Sequence, residues 1–224
     1  MLLAKGRPSQ LVGDIRLDGE HVSTINSRLR GKPERPDPVA LTHSSDSSFV
    51  GSYVLGLGFI LSLAERDALV EEDESNRERI FPYLGGEEVN THPQQMHDRF
   101  VINFAQMSLL EAQKWPRLLE ILREKVKPER DKVRRDSHRK NWWLYADPRP
   151  GLYAAIAGLD RCLVTSIHSK HCLFSFQPTT NIFSHALIVF SLSSSSAFAI
   201  LQSRIHEPSI WRSEERRVGK ECRS

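Results

Sequence analysis

An α+β fold built from mixed short strands and helices is what the 224-residue sequence predicts. Short runs rich in β-branched and aromatic residues, such as Arg99–Phe104 and Ala186–Phe190, stand between polar or turn-forming stretches. Two Ser-x-x-Glu patterns, Ser62 to Glu65 and Ser108 to Glu111, each precede a run with helical spacing of apolar residues. No repeat of solenoid length interrupts this alternation.

In chain order, residues 1–48 form a loop-rich leading segment. Gly31-Lys-Pro33, Arg35-Pro-Asp-Pro38 and the polar Thr42–Ser48 stretch are all turn chemistry. Phe49–Leu61 is apolar and broken by glycines, which predicts strand with a bulge or a close backbone approach. A helix begins at Ser62 and ends near Asp73 to Asn76. Phe81–Asn90 is expected to be a loop leading to a short strand, and Arg99–Phe104 a strand. The second Ser-x-x-Glu opens a helix carrying Leu109, Leu110, Ala112 and Trp115, and Pro116 begins a new helix or kinks the old one. After Trp142-Trp143 and a Pro148-Arg-Pro150 turn come a short helix over Leu152–Ala157 and strands over Arg161–Thr165, Cys172–Phe176 and Ala186–Phe190. A helix over Ala197–Ser203 follows.

Composition bounds the function more than it names it. The hydrophobic share of 39% suits a packed globular domain, and an excess of 31 Lys and Arg over 28 Asp and Glu is too small to argue for nucleic acid by itself. Cys162, Cys172 and Cys222 make no even framework and no CxxC pair, so a reducing, cytoplasmic setting is expected. The start is too quickly charged for a signal peptide. Ile182–Leu201 is interrupted by His185 and Ser193–Ser196, which argues against a membrane span.

Several constellations bear on chemistry. Gly56-x-Gly58 lacks the third glycine and the following helix that a phosphate loop needs. There is no Gly-x-Ser-x-Gly elbow, so an independent hydrolase is not expected. His168, His171 and Cys172 are close in sequence, but a tetrahedral zinc site needs a fourth ligand and none is evident. Glu87-Glu88 follows Gly85-Gly86 with no partner groups and is expected to be structural. The Lys125–Lys140 segment concentrates positive charge. On a single helix, Lys127, Arg130 and Arg134 would share a face and could track a phosphate backbone, or the segment could be a solvated surface. Trp142 and Trp143 could stack on a base or pack in the core.

Taken as an ordered set, the blocks Leu17-Asp-Gly19 with Ile25-Asn26, Phe49–Phe59, Ile80–Asn90, Val101–Phe104, Val126–Arg130, Trp142-Trp143, Ile156–Arg161, Ser169-Lys-His171 and Leu201–Ser203 with His206-Glu207 carry a resemblance. They resemble the recognition region of large type IIG and type IIL restriction-modification proteins, the MmeI-like class, and of related adenine-specific DNA methyltransferases. The resemblance runs over roughly residues 14 to 212. It implies a DNA target-recognition domain over residues 49–212, truncated at the C-terminus, with double-stranded DNA as partner. Within it, Thr165 to His171 lies where the family presents side chains to DNA. Thr165 and Ile167 stand where arginine is often found, whereas Ser169, Lys170 and His171 match. Lys170 is the expected reader, on a guanine edge or on a phosphate. Arg204 and His206 would help hold the duplex.

The resemblance also implies what the chain lacks. Such proteins carry an S-adenosylmethionine-dependent N6-adenine methyltransferase domain ahead of this region, and some a nuclease. Neither the Asn/Asp-Pro-Pro-aromatic motif nor the glycine-rich cofactor turn occurs here, so no catalytic residue, no cofactor site and no metal site is assigned. The chain alone is expected to be inactive, with the methyltransferase catalytic domain supplied in cis or in trans. Residues 213–224 depart from the family and resemble translated adaptor or vector sequence. Two other readings stay open: a protein-docking or structural module that pairs with a separate methyltransferase chain, and an inactive gene fragment.

Overall fold

The computed structural model describes residues 15–26, 29–33 and 47–203. Arg204, His206, Cys222 and the 213–224 tail lie outside the described residues, as do residues 34–46. The chain divides into two units, residues 1–42 and 43–224. The first contains a two-stranded hairpin, β1 (Arg16–Leu17) and β2 (Glu20–His21). Asp18 and Gly19 turn it with φ of 51° and 87°, the left-handed pair that an Asp-Gly turn supplies.

The second unit is α+β, with two four-stranded sheets. One runs β3 (Ser48–Val50), β10 (Leu187–Phe190), β7 (Arg161–Ser166), β8 (Ser175–Pro178), all antiparallel. The other runs β4 (Ile60–Leu61), β6 (Arg99–Ile102), β5 (Ile80–Leu84), β9 (Ile182–Phe183), in which β5 and β9 are parallel. β9 and β10 are consecutive, so residues 184–186 carry the chain from one sheet to the other. Gly51 passes this corner so closely that a Cβ there would collide with the backbone oxygens of Phe183 and Ser184. Ser52 N–H donates to Phe183 O at 2.7 Å, and the Tyr153 hydroxyl accepts from Phe183 N–H at 3.3 Å. Backbone bonds at this corner thereby stitch the sheets, with the Tyr153 hydroxyl adding a side-chain one.

Each helix start follows from local chemistry. Ser62 caps α1 (Leu63–Glu72): its Oγ accepts from Glu65 N–H, and the Glu65 carboxylate accepts from Ser62 N–H at 2.8 Å. Ser108 and Glu111 repeat the device at α3 (Leu109–Ala112). Pro116 is the first residue of α4 (Pro116–Lys125), where its missing N–H costs nothing. Leu118, Leu119 and Leu122 of α4 pack into the larger of two apolar cores, with Phe59, Val101, Phe104, Trp115, Trp142 and Trp143. The smaller core joins Leu84, Val89, Leu152, Ile156, Val164, Phe183 and Val189.

Three expected elements are corrected. Phe49–Leu61 is not one strand: β3 and β4 belong to different sheets, separated by the corner and a 3-10 turn at Leu57–Phe59. Residues 80–90 are a strand then a helix, β5 and α2 (Gly86–Thr91), instead of a loop then a strand. Pro82 is tolerated in β5 because β9 pairs only at Tyr83 and Leu84. The strand expected at Cys172–Phe176 starts at Ser175, because the amide of Phe174 is taken by the Gln202 side chain instead of by the ladder.

Candidate nucleic-acid interface

β7 and β8 are joined by residues 167–174, and this loop carries Ser169, Lys170 and His171 together. The last paired residues are Val164 and Ser175, so the segment beyond them projects from the sheet instead of folding back in a tight hairpin. Its two limbs are nonetheless tied down. On one side, Asn90 of α2 donates through Nδ2 to Ser166 Oγ at 3.2 Å and to His168 O at 3.1 Å, while Ile167 N–H donates to Ala186 O at 2.9 Å. On the other, Gln202 at the end of α8 (Ser195–Leu201) accepts from Phe174 N–H at 3.0 Å and donates to Cys172 O at 3.1 Å. Ser169 Oγ accepts from His171 N–H at 3.3 Å and sets the tip's own turn. Lys170 and His171 are exposed at that tip. Among the described residues Lys170 has no ion-pair partner, so its ammonium is available to an acceptor from outside the chain.

At the far end of the same sheet Arg161 is differently employed. Its guanidinium lies 3.9 Å from the centre of the Phe176 ring and donates to Ser193 O at 3.0 Å. The loop therefore presents its lysine outward while Arg161 is spent holding the β10–α8 connection.

The basic segment is corrected in two respects. It forms two short helices, α5 (Lys127–Arg130) and α6 (Asp136–Lys140), so Lys127, Arg130 and Arg134 do not make one helical stripe. Arg130 moreover points inward. Only 1% of it is exposed; Nη2 donates to Val54 O at 3.0 Å and Leu144 O at 3.1 Å, with the Phe59 ring centre 5.9 Å away. Its Nε and Nη1 meet no acceptor, and burial pushes its pKa down from the usual guanidinium range. A side chain so enclosed cannot contact a phosphate without local unfolding. Lys127 is partly neutralised by Asp131 at 3.6 Å, and Arg139 by Asp136. Arg134 lies exposed between the two helices and has no ion-pair partner among the described residues.

The remaining candidates resolve into structure. Trp142 and Trp143 are both buried, edge to face at 6.0 Å, and Trp143 Nε1 donates to Met107 O at 2.9 Å, so neither offers a face to a base. Glu88 is buried, accepts from Gly85 N–H at 3.0 Å and from Arg99 Nε at 2.7 Å. Gly58 packs on Lys125 and Val126, where a Cβ would not fit, so the Gly56-x-Gly58 pattern makes room for α4 and does not open toward a nucleotide cofactor. The Cys162 thiol is buried and pushed up to about 12, which removes it as a nucleophile near neutral pH. Among the described residues, no three His, Cys, Asp or Glu side chains group to hold a metal, and no helix is long and apolar enough to cross a membrane. Asn90 and Gln202, which fix the loop, carry no sequence signal for that role; each is a lone amide whose partners are distant in the chain.

No family model matches the chain, and no curated protein does. A solved structure of the type IIL restriction-modification enzyme MmeI in complex with DNA is similar, with a TM-score of 0.61 and 16% identity over 84% of this chain. The chain spans only a quarter of that protein, 25% of its length. At this identity the likeness is one of fold, and the shared fold is its conclusion.

Proposed function

We propose that this chain is the DNA sequence-recognition portion of an S-adenosylmethionine-dependent N6-adenine DNA methyltransferase of a restriction-modification system. The carrying observation is the projecting 167–174 loop, whose backbone is fixed on both limbs while Lys170 stays exposed and unpaired. Base reading needs such a combination: a donor placed in fixed register that has not already been consumed inside the protein. The fold shared with a protein solved on DNA supports the same reading. In it, Lys170 meets a guanine edge or a phosphate, with Ser169 and His171 beside it. Lys127 and Arg134 add phosphate contacts on double-stranded DNA. Methyl transfer and its cofactor belong to the methyltransferase catalytic domain, in cis in a longer protein or in trans, within the cytoplasm; no step of it is assigned to residues of this chain.

The test is selection of duplexes from a randomised library by the full chain and by Lys170→Ala. The wild type should enrich one sequence, and the variant should lose discrimination at one or two positions by roughly 5- to 150-fold, the range of a single good base contact. Enrichment of the same sequence at the same ratio by the variant would remove Lys170 from the reading. Failure of the wild type to enrich any sequence would remove the function itself.

A docking role has an observation of its own. Leu57 is 80% exposed and Leu110 77%, the two most exposed large apolar side chains among the described residues. Co-purification of the chain with a separately expressed methyltransferase subunit, lost on Leu57→Ser with Leu110→Ser, would support it; co-purification unchanged by that pair would not.

A further inference from the structure

Near the corner between the two sheets, the 43–224 unit has an open cleft of about 450 Å³, within the range of small-molecule sites. Its lining residues include Phe81, Tyr153, Asn103, Gln106 and Asn181, with Thr180 exposed beside them. Among the described residues, no Asp, Glu, Lys, Arg or His lines it. Tyr153 stays neutral as well, pushed up to about 12 by burial, with its hydroxyl already shared between Ser52 Oγ at 3.0 Å and Phe183 N–H.

Asn181 is the informative residue. It is only 3% exposed, and its backbone N–H closes the Pro178–Asn181 turn. Its side-chain amide nevertheless makes no hydrogen bond to any described residue, though it lines the cleft. Its amide atoms are not sealed from solvent, so they stay open to a partner that enters the cleft. Asn103 adds a free Nδ2, since only its Oδ1 is engaged, by Ala105 N–H at 2.8 Å.

We infer that this cleft is a binding site for a neutral nucleobase, held edge-on by the Asn181 amide and face-on by Phe81 or Tyr153. A carboxamide offers a donor and an acceptor side by side, which matches the paired donor and acceptor atoms on a base edge. Aromatic faces suit a planar ring, and the lack of any cation argues against a phosphate as the anchoring group. The site is separate from the Lys170 loop and does not depend on it. The base can come from a free nucleoside or from a nucleotide extruded from a duplex.

Two arms distinguish those sources and keep this inference apart from the DNA reading. In the first, the full chain is titrated by heteronuclear NMR with adenosine, guanosine, cytidine and thymidine, without DNA. In the second, 2-aminopurine fluorescence is followed in duplexes carrying that base at single positions. Saturable shifts at Phe81, Tyr153 and Asn181 in the first arm mean a free nucleoside; brightening in the second alone means an extruded base. Either response should weaken at least about tenfold in Asn181→Leu, because a site built to hydrogen-bond a ligand loses strongly when the partner is removed. Thr180→Lys, at the exposed position of the same turn, tests the cleft without removing the Asn181 amide and should weaken binding as well. Silence in both arms, or responses equal in wild type and both variants, overturns the inference.

Discussion

The basic segment at residues 127–140 and the loop at residues 167–174 both offer cations, yet the structure treats them in opposite ways. In the first, charge is abundant and much of it is consumed: Arg130 is buried against backbone carbonyls, and Lys127 and Arg139 have acidic neighbours in the same segment. In the second there is a single lysine, and the surrounding amides work on the backbone, leaving its ammonium free. Charge density in a sequence therefore measures the opportunity for phosphate contact, whereas availability depends on what the fold has already paired. On the proposed reading, structural work falls to one cation of the segment, phosphate contact to others, and sequence reading to the loop.

The largest effect expected from this contrast is at Arg130. Arg130→Ala opens a cavity and strands the carbonyls of Val54 and Leu144, and should cost about 3 kcal/mol or more in urea denaturation. Two of its nitrogens lack acceptors, so the charge is itself poorly compensated. Arg130→Met, which retains bulk and removes that charge, should therefore lose much less, about 1 kcal/mol. The methionine variant should bind duplex DNA with an unchanged salt dependence. A salt slope that falls in the folded methionine variant would return Arg130 to the DNA surface and break the comparison.

Local signals in the sequence were readable where their physics is local. Both Ser-x-x-Glu caps, the proline at the start of α4 and the β-branched strands β6, β7 and β10 lie where spacing and propensity put them. What could not be read depends on partners far along the chain. β5 looks like a loop because of Pro82 and the following glycines, and becomes a strand only through β6 and the two residues of β9. Arg130 looks like a surface cation, and turns inward because Val54, 76 residues earlier, offers a carbonyl. Ser169, Lys170 and His171 stand out in the sequence by resemblance, whereas nothing in the sequence says that Asn90 and Gln202 tie down the two limbs of their loop. An amide that bonds a distant backbone leaves no periodicity and no motif.

A smaller effect should follow from releasing the loop. Gln202 is exposed, so Gln202→Ala removes its two bonds to the 172–174 backbone with little disturbance of the core. Hydrogen exchange at the Phe174 amide should accelerate about fivefold to tenfold, matching roughly 1 kcal/mol of local stability, while the global melting midpoint stays nearly fixed. Sequence preference should soften along with it, since a lysine on a looser loop samples more positions. Unchanged exchange at Phe174 would mean that Asn90 and the β7–β10 ladder suffice to hold the loop, and would move the origin of its register to that limb.

The smallest effect sharpens the division of labour itself. Arg134 is exposed between α5 and α6, so Arg134→Ala should leave thermal stability unaltered. As a phosphate contact it should lower the slope of log binding constant against log salt by about 0.9, uniformly across duplex sequences. Lys170→Ala, measured in the same series, should instead change the ranking of sequences. If Arg134→Ala alters the ranking and Lys170→Ala only the slope, the two regions exchange roles: the loop becomes the anchor and the basic segment the reader. Because screening compresses both effects at high salt, the measurement is decisive only when the whole series is taken from low to physiological ionic strength.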